Sequence, residues 1–351
     1  MNSTADYTVS FPGLGINNLG INRVIFQFSL FGRDIAIYWY GLLIALAFLL
    51  ALLLAIRQAK KHDLKSDDIV DFFLILIPAA IIGARLYYVA FEWSQFSSDW
   101  RKIFDLRSGG LAFYGGVIGA IIGIWLMAMH KRIRLSKVLD YLAVYLPLGH
   151  AIGRWGNFFN QEAFGTNTDL PWGMISNGTA SYLSQLNPDL ANPIVGLDPA
   201  LPVHPTFFYE FAANILIFVI LIFVRRRAKQ PMSTLAGYFV LYGVVRFFVE
   251  GIRTDSLYTG ADIRISQLLS AAMVVFGLLV LLNNILRNNS RKKALAGITL
   301  SDEQEAKILR VAMVEDAADD DAEDQSIESA GTEAEEEHDA DSSDEDPEEN
   351  A

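Results

Sequence analysis

Seven apolar runs constrain the fold of this chain more than any other feature. A helix needs about 20 mostly apolar residues to cross about 30 Å of hydrocarbon. The runs cover residues 35–56, 69–91, 111–129, 138–159, 206–224, 235–249 and 265–285. They predict an all-α integral membrane protein of about seven transmembrane helices, and they argue against an ordinary soluble enzyme.

The acidic residues of the chain are concentrated at its C-terminus. Of the 40 Asp and Glu residues, 22 lie in residues 301–351, which hold only 2 of the 28 Lys and Arg residues. The other 300 residues therefore carry 26 basic and 18 acidic side chains and are basic as well as apolar. Residues 315–351 are too acidic and too poor in aromatic residues to bury a core, so we expect a disordered acidic tail.

Basic clusters follow alternate apolar runs and thereby predict the orientation of the chain. Four clusters lie at 57–65, 131–137, 225–229 and 287–293, and cytoplasmic connections are the ones that carry an excess of Lys and Arg. We therefore expect the N-terminus outside the cell and the C-terminus in the cytoplasm. The connection 161–203, which contains no Lys or Arg, should form a small extracytoplasmic lobe.

The same reasoning divides the chain into four parts. These are an extracytoplasmic N-terminal segment at 1–34, a seven-helix transmembrane domain at 35–290, a cytoplasmic juxtamembrane segment at 291–314 and the tail at 315–351. The connection 92–110 does not fit this scheme, because it lies on the predicted outer side of the membrane although it contains Arg101, Lys102 and Arg107.

Several polar side chains lie inside the apolar runs, where an ionised group costs about 2.5–3.5 kcal/mol on insertion scales and usually has a function. At about 1.5 Å per residue, the arginines lie roughly 20–24 Å from the inner ends of their runs, and the other groups lie within about 10 Å of the outer ends. The groups are Tyr40, Arg85, Tyr114, Arg154, Glu210 and Arg246. They converge in the outer leaflet.

Helical phase places two of these arginines on polar faces. The faces consist of His150, Arg154 and Asn157 in the fourth run, and of Arg246, Glu250 and Arg253 in the sixth. Residues at these spacings share one side of a helix. Guanidinium groups bind phosphate oxygens through a planar fork, so two arginines that face one cavity suit a phospholipid headgroup.

Three rival classes fit the sequence less well. A transporter or anion channel should show a repeat or broken helices around a midplane site, and neither is evident. A metal-dependent lipid phosphotransferase needs clustered carboxylates for Mg²⁺, and the runs contain no such cluster. A purely structural membrane protein does not need polar groups that converge at one depth.

One segment resembles the signature of a known family. Residues 153–165 read GRWGNFFNQEAFG and closely resemble the pattern G-R-x-G-N-F-x-N-x-E-x-x-G of the prolipoprotein diacylglyceryl transferases. Further matching segments follow the family order: YWYG at 38–41, GARLYY at 83–88, GGLAFYGG at 109–116, HPTFFYE at 204–210, YGVVRFFVE at 242–250 and ISQLLS at 265–270. The resemblance covers about residues 28–290, and the family has seven spans with the N-terminus outside.

The resemblance implies a transferase of bacterial lipoprotein maturation in the cytoplasmic membrane, with an active site that faces the outer leaflet. The diacylglyceryl group of phosphatidylglycerol would pass to the lipobox cysteine thiol of a preprolipoprotein, which gives a thioether and glycerol phosphate. The implied partners are phosphatidylglycerol, preprolipoprotein signal peptides and membrane lipid, without nucleic acid, metal or cofactor. This chain contains no cysteine, which fits a nucleophile that belongs to the substrate.

The matched motifs also imply site residues. Arg154 and Arg246 resemble the two essential arginines of the family, and Arg85 is a further candidate for binding the headgroup because of its depth. The remaining matched positions are Tyr40, Asn157, Glu162 and Gly165.

The general base stays open at the level of the sequence. Well-studied family members carry a histidine, proposed as the base, where this chain has Tyr114. The candidates are therefore Tyr114, His150 and Glu162. As an alternative, the substrate thiolate forms in the field of the arginines with no dedicated base.

Overall fold

Helices make up most of the described chain. The structure, a computed structural model, describes residues 5–30, 33–97, 99–105, 109–187, 194–228, 230–256 and 263–296, with 291–296 described through the backbone alone. The chain divides into two compact units, Met1–Ile285 and Leu286–Ala351, and the described part of the second unit is the end of one helix. The predicted tail 315–351 and the juxtamembrane segment beyond residue 296 lie outside the described residues.

Six of the described helices are long and apolar enough to cross a membrane. The helices are α1 Trp39–Ala59, α2 Ser66–Phe91, α3 Trp93–Phe96, α4 Phe113–His130, α5 Leu135–Ala143, α6 Tyr145–Asn160, α7 Asn177–Leu186, α8 Thr206–Arg227, α9 Ser233–Ile252 and α10 Ile265–Ala296. The six of membrane length are α1, α2, α4, α8, α9 and α10. A helical, multi-pass membrane protein is therefore confirmed.

The fourth apolar run, which the sequence predicts as one span, folds as two helices. α5 and α6 meet at Val144, and neither is long enough alone to cross a membrane. Pro147 accounts for the break, because proline lacks an N–H and its ring clashes with the carbonyl four residues earlier, here that of Ala143.

Two small sheets accompany the helices, and the apolar runs do not predict them. β1 Tyr7–Phe11, β2 Ile16–Ile21 and β5 Ile175–Ser176 form a sheet of order β2–β1–β5, and β3 Val24–Leu30 pairs antiparallel with β4 Arg33–Tyr38. The first apolar run thus begins as a strand at residues 35–38, and its helix begins only at Trp39. Ile35 and Ile37 are β-branched, and such residues are favoured in strands.

The connection 161–203 packs onto the N-terminal strands. β5 pairs with β1, and Ser176 and Thr179 form a capping box at the start of α7. One apolar cluster joins the connection to β1, α6 and α8; its buried members include Val9, Phe158, Phe164, Met174, Leu183, Val203 and Phe207. This cluster fixes the end of α6 against the start of α8.

Glycines allow α2 and α4 to pack closely. A Cβ atom at Gly119 would lie 2.2 Å from the carbonyl oxygen of Ala79, and one at Gly83 would lie 2.4 Å from that of Gly115. Gly123 likewise faces Ala79, since its Cβ would approach that side chain to 2.6 Å. Gly115, Gly119 and Gly123 form two overlapping G-x-x-x-G patterns, which are typical of closely packed membrane helices.

Gly119→Val is expected to destabilise the bundle by about 1–3 kcal/mol or more, since overpacking forces backbone shifts. Thermal unfolding in detergent should show a lower Tm. The matched control is Gly149→Ala on α6, where an added Cβ would meet nothing within 4 Å. An unchanged Tm for Gly119→Val would contradict this packing.

Candidate active site

A buried glutamate lies at the centre of an arginine cluster. Glu210, in the second turn of α8, is 1% exposed. Its Oε2 atom lies 2.7 Å from Nη2 of Arg154, and its Oε1 atom lies 3.3 Å from Nη1 of Arg246 and 3.8 Å from Nη1 of Arg253. One carboxylate therefore contacts guanidinium groups from α6, from α9 and from the residue that follows α9.

Two further carboxylates balance the charge of this cluster. Nη2 of Arg246 pairs with Oε2 of Glu250, one turn further along α9. Arg253 forms a two-bond fork with Asp255, with Nε at 2.9 Å from Oδ1 and Nη2 at 2.7 Å from Oδ2. Burial disfavours the charge on Arg253, but the hydrogen bonds to Asp255 and the negative charges of Asp255, Glu210 and Glu250 together outweigh burial and raise the pKa of Arg253.

Backbone hydrogen bonds join the segment after α6 to the residues before α8 and to the last residue of α9. The Gly165 N–H donates to the carbonyl of His204 at 2.9 Å, and the Thr166 N–H donates to that of Ile252 at 2.8 Å. A Cβ atom at Gly165 would lie only 2.8 Å from Cβ of His204. Close approach of two chain segments therefore accounts for this glycine of the signature.

Hydrogen bonds continue from Arg154 along the signature. Nη1 of Arg154 donates to Oδ1 of Asn157 at 3.4 Å, and Nδ2 of Asn157 donates to Oε1 of Glu162 at 3.0 Å. Nδ2 of Asn160 donates to the same carboxylate oxygen at 3.2 Å. The structure thus brings three predicted site residues into one chain of contacts.

Tyr40 joins this group from α1. A Cβ atom at Gly156 would lie 2.4 Å from Cδ2 of Tyr40, so the tyrosine ring packs directly on the backbone of α6. Tyr40 also interacts electrostatically with Glu162 and Arg154. It therefore lies beside the cluster, as its place in the sequence predicts.

His150 lies one helical turn before Arg154 and is enclosed by aromatic rings. Its ring centroid lies 6.2 Å from that of Tyr238 and 4.7 Å from that of Tyr242. Its Nδ1 atom is buried without a hydrogen-bond partner among the described residues. The hydroxyl of Tyr242 lies beside the Arg154 guanidinium.

Arg85 differs from the other arginines in how its donors are used. Its side chain donates to five carbonyl oxygens, those of Lys102, Ile103, Asp105, Gly109 and Gly110, at distances of 2.6–2.9 Å. A guanidinium has five N–H donors, so these bonds occupy all of them. No donor is left for a phosphate in this arrangement.

Tyr114 lies at the start of α4, where its ring packs edge-on against Phe113 with centroids 5.8 Å apart. Within the described part of the chain, it makes no hydrogen bond or ion pair with the arginine cluster.

Four residues of the cluster are absent from the predicted site residues: Glu210, Glu250, Arg253 and Asp255. Glu210 ends the HPTFFYE segment and lies at the predicted depth, and Arg253 follows Arg246 at the spacing of a shared helix face. Both signals were visible in the sequence. The signal that was missing is the contact between helices that makes Glu210 the common partner.

The fold and the site together define a class: a multi-pass membrane protein with a buried, arginine-rich polar cluster inside its helix bundle. The family model described as prolipoprotein diacylglyceryl transferase matches residues 25–283 of this chain. The chain belongs to that family, and the resemblance seen in the signature is confirmed.

Curated relatives agree with this assignment. The chain is 42% identical over 254 residues to a protein of Finegoldia magna and 39% identical over 252 residues to one of Clostridioides difficile; each match covers 72% of this chain and 92% of the relative. It is also 39% identical over 288 residues to a protein of Enterococcus faecalis, and this match covers 80% of this chain and 98% of the relative. Each relative is named phosphatidylglycerol–prolipoprotein diacylglyceryl transferase.

Proposed function

We propose that this chain transfers the diacylglyceryl group of phosphatidylglycerol to the lipobox cysteine thiol of preprolipoproteins, in bacterial lipoprotein maturation. Family membership and the names of the relatives support the reaction and both substrates. The observation that carries the proposal is the contact of Glu210 with Arg154, Arg246 and Arg253 inside the helix bundle. Such a cluster fixes several guanidinium groups whose side chains remain 12–18% exposed, and guanidinium forks bind phosphate oxygens.

The reaction exchanges one bond at a glyceryl carbon. The thiolate sulfur attacks the carbon that carries the phosphate, so a C–S bond forms and the C–O bond to the phosphate breaks. Glycerol phosphate leaves with the electron pair, and the thiol proton passes to a base or to water. Negative charge builds on the phosphate oxygens, and preplaced guanidinium groups stabilise that charge.

Arg154 is the residue we assign to the phosphate. Its contacts with Glu210, Asn157 and Tyr242 occupy only part of its fork of five donors, and its side chain is 18% exposed. Arg246 pairs with two carboxylates, Glu210 and Glu250, and shares Glu210 with Arg154. In this proposal Tyr40, Asn157 and Glu162 frame the headgroup, and Gly165 shapes the backbone around it.

We also propose the orientation of the molecule in the bacterial cytoplasmic membrane. α5 and α6 would form one kinked span, which brings the number of spans to seven in a catalytic domain at 35–290. Alternation of the basic clusters supports an outer N-terminus, a cytoplasmic C-terminus and an extracytoplasmic lobe at 161–203. Trp39 stacks on Phe159 with centroids 4.8 Å apart, so the start of α1 and the end of α6 would share the outer side with the active site.

The proton acceptor is tested by two substitutions, Tyr114→Phe and His150→Gln. Removal of a general base lowers a rate by about 10²–10⁴-fold. We expect each variant to keep its rate within a few-fold, because Tyr114 makes no hydrogen bond or ion pair with the described cluster residues and His150 is enclosed by Tyr238 and Tyr242. A thousandfold loss in either folded variant, measured as initial rate of peptide lipidation, would identify that residue as the base.

The proposed reaction is tested with the purified full chain in phosphatidylglycerol liposomes. A lipobox peptide should gain the mass of one diacylglyceryl group, and an equal amount of glycerol phosphate should be released. The matched peptide with serine in place of cysteine should gain nothing. Release of glycerol phosphate without peptide modification, or no product at all from folded protein, would contradict the proposal.

A further inference from the structure

The chain between α2 and α4 folds back along the end of α2. α2 ends at Phe91, but the Ala112 N–H donates at 3.1 Å to the carbonyl of Ala84. Ala84 precedes the end of α2 by seven residues, or about 10 Å at 1.5 Å per residue. α4 therefore begins about two helical turns before the level at which α2 ends, and Gly109 and Gly110, just before α4, lie against Arg85 and Tyr88 of α2.

Arg85 holds the described residues on both sides of the gap at 106–108 in place. It is 5% exposed, and its five hydrogen bonds reach the carbonyls of Lys102, Ile103, Asp105, Gly109 and Gly110. Irregular backbone at membrane depth is tolerated only where its polar groups find partners within the protein. Gly110 has φ +75°, and a Cβ there would lie 2.5 Å from Nη1 of Arg85, so the loop is shaped around the guanidinium.

The outward side of this chain is apolar and basic. Trp100, Phe104 and Phe113 are 65%, 74% and 75% exposed. Arg101 and Lys102 are also exposed, and within the described ranges their side chains form no ion pair. Large aromatic side chains beside cations are typical of the boundary between headgroups and acyl chains.

We propose that residues 99–105 and 109–113, the Arg85-anchored segment, enter the outer leaflet and dock on phospholipid. Trp100, Phe104 and Phe113 would lie among the acyl chains near the headgroups, and Arg101 and Lys102 would reach the lipid phosphates. Only the choice of leaflet rests on the proposed function. The docking explains why this stretch is basic although it lies on the predicted outer side.

This inference gives Arg85 a role different from headgroup binding. Arg85 is a positioning residue, since it satisfies the carbonyls of the docked segment and fixes where α4 begins. Its effect on transfer would be indirect, through the depth of the segment and the start of the helix that carries Tyr114.

The chain has no cysteine, so single cysteine variants can be spin-labelled without background. Phe104→Cys is the test site in phosphatidylglycerol liposomes. Val195→Cys, at a residue 97% exposed in the connection 161–203, is the aqueous control, and Ile118→Cys, at a residue 50% exposed on α4, is the lipid control. The measured quantity is the ratio of label accessibility to oxygen, which enters lipid, over accessibility to a polar nickel complex.

We expect the ratio at position 104 to exceed that at 195 by at least about threefold, since an interfacial element inserts by about 5–10 Å. Arg85→Gln in the Phe104→Cys background should move the ratio towards the aqueous control, whereas Arg85→Lys should move it less. A ratio at 104 equal to that at 195 would overturn the proposal. So would a ratio that becomes lipid-like only on addition of lipobox peptide or at high protein density, since the occupant would then be a peptide or a second copy.

The labelling does not depend on catalysis, so the two proposals can fail separately. An active enzyme with an aqueous label at 104 overturns the docking alone. An inactive chain with a lipid-like label at 104 overturns the reaction alone.

Discussion

Replacement of Arg154 by alanine is expected to reduce transfer to the background of the assay, a loss of about 10³-fold, which is the upper range for removal of one preplaced donor to a developing negative charge. Arg154 is the most exposed of the three cluster arginines, at 18% against 15% and 12%, and it pairs with one carboxylate where Arg246 and Arg253 each pair with two. The protein should still fold, because Glu210 keeps its contacts with Arg246 and Arg253. The measurement is the initial rate of peptide lipidation at equal amounts of folded, membrane-inserted protein.

Two companion variants make this result specific. Arg154→Lys keeps the charge but loses the planar fork, so we expect it to recover little activity. Arg226→Ala removes an exposed arginine from the far end of α8 and should retain the wild-type rate. Full activity of folded Arg154→Ala would remove this residue from the headgroup site.

The spans were the most predictable part of the fold. Length and apolarity alone decide whether a helix can cross a bilayer, so six of the seven runs became helices of membrane length. The deviations have local causes. Pro147 interrupts the fourth run, and residues 35–38 pair with β3 before α1 begins.

Contacts between helices were much less predictable. Arg246 and Glu250 are four residues apart on one helix, so their pairing follows from the sequence alone. The contacts of Glu210 with Arg154 and Arg253 depend on how α6, α8 and α9 are rotated against one another. The backbone hydrogen bonds of Gly165 and Thr166 help to set that rotation. No periodic pattern in the sequence predicts these hydrogen bonds.

Arg85 shows the same limit for a single residue. Its depth resembles that of Arg154, and the sequence alone made both candidates for one headgroup. The roles of the two arginines can be distinguished only from the hydrogen-bond acceptors of each guanidinium. All donors of Arg85 go to the loop that follows α2, whereas Arg154 contacts Glu210, Asn157 and Tyr242 and keeps part of its fork free.

Glu210→Gln is expected to have the other large effect, on stability as well as on transfer. In the native cluster the three guanidinium groups face the carboxylates of Glu210, Glu250 and Asp255. Glutamine keeps the shape of the side chain but leaves one positive charge unbalanced in a site where Glu210 is 1% exposed. Loss of one partner from a buried ion pair typically costs about 3–5 kcal/mol. Transfer should fall too, because Arg154 loses its closest partner at 2.7 Å.

Thermal unfolding in a neutral detergent measures the stability effect, with Asp169→Asn, an exposed carboxylate, as the control that should leave the Tm unchanged. A second substitution separates charge balance from a local packing defect. Arg253→Gln added to Glu210→Gln removes the excess positive charge, so the double variant should regain part of the lost Tm while transfer stays low. Added phosphatidylglycerol should raise the Tm of Glu210→Gln more than that of the wild type, because a bound phosphate would supply the missing negative charge and binding stabilises the folded state. A wild-type Tm for Glu210→Gln, with no extra response to the lipid, would show that this carboxylate does not balance the arginines and that the cluster is held by its backbone contacts alone.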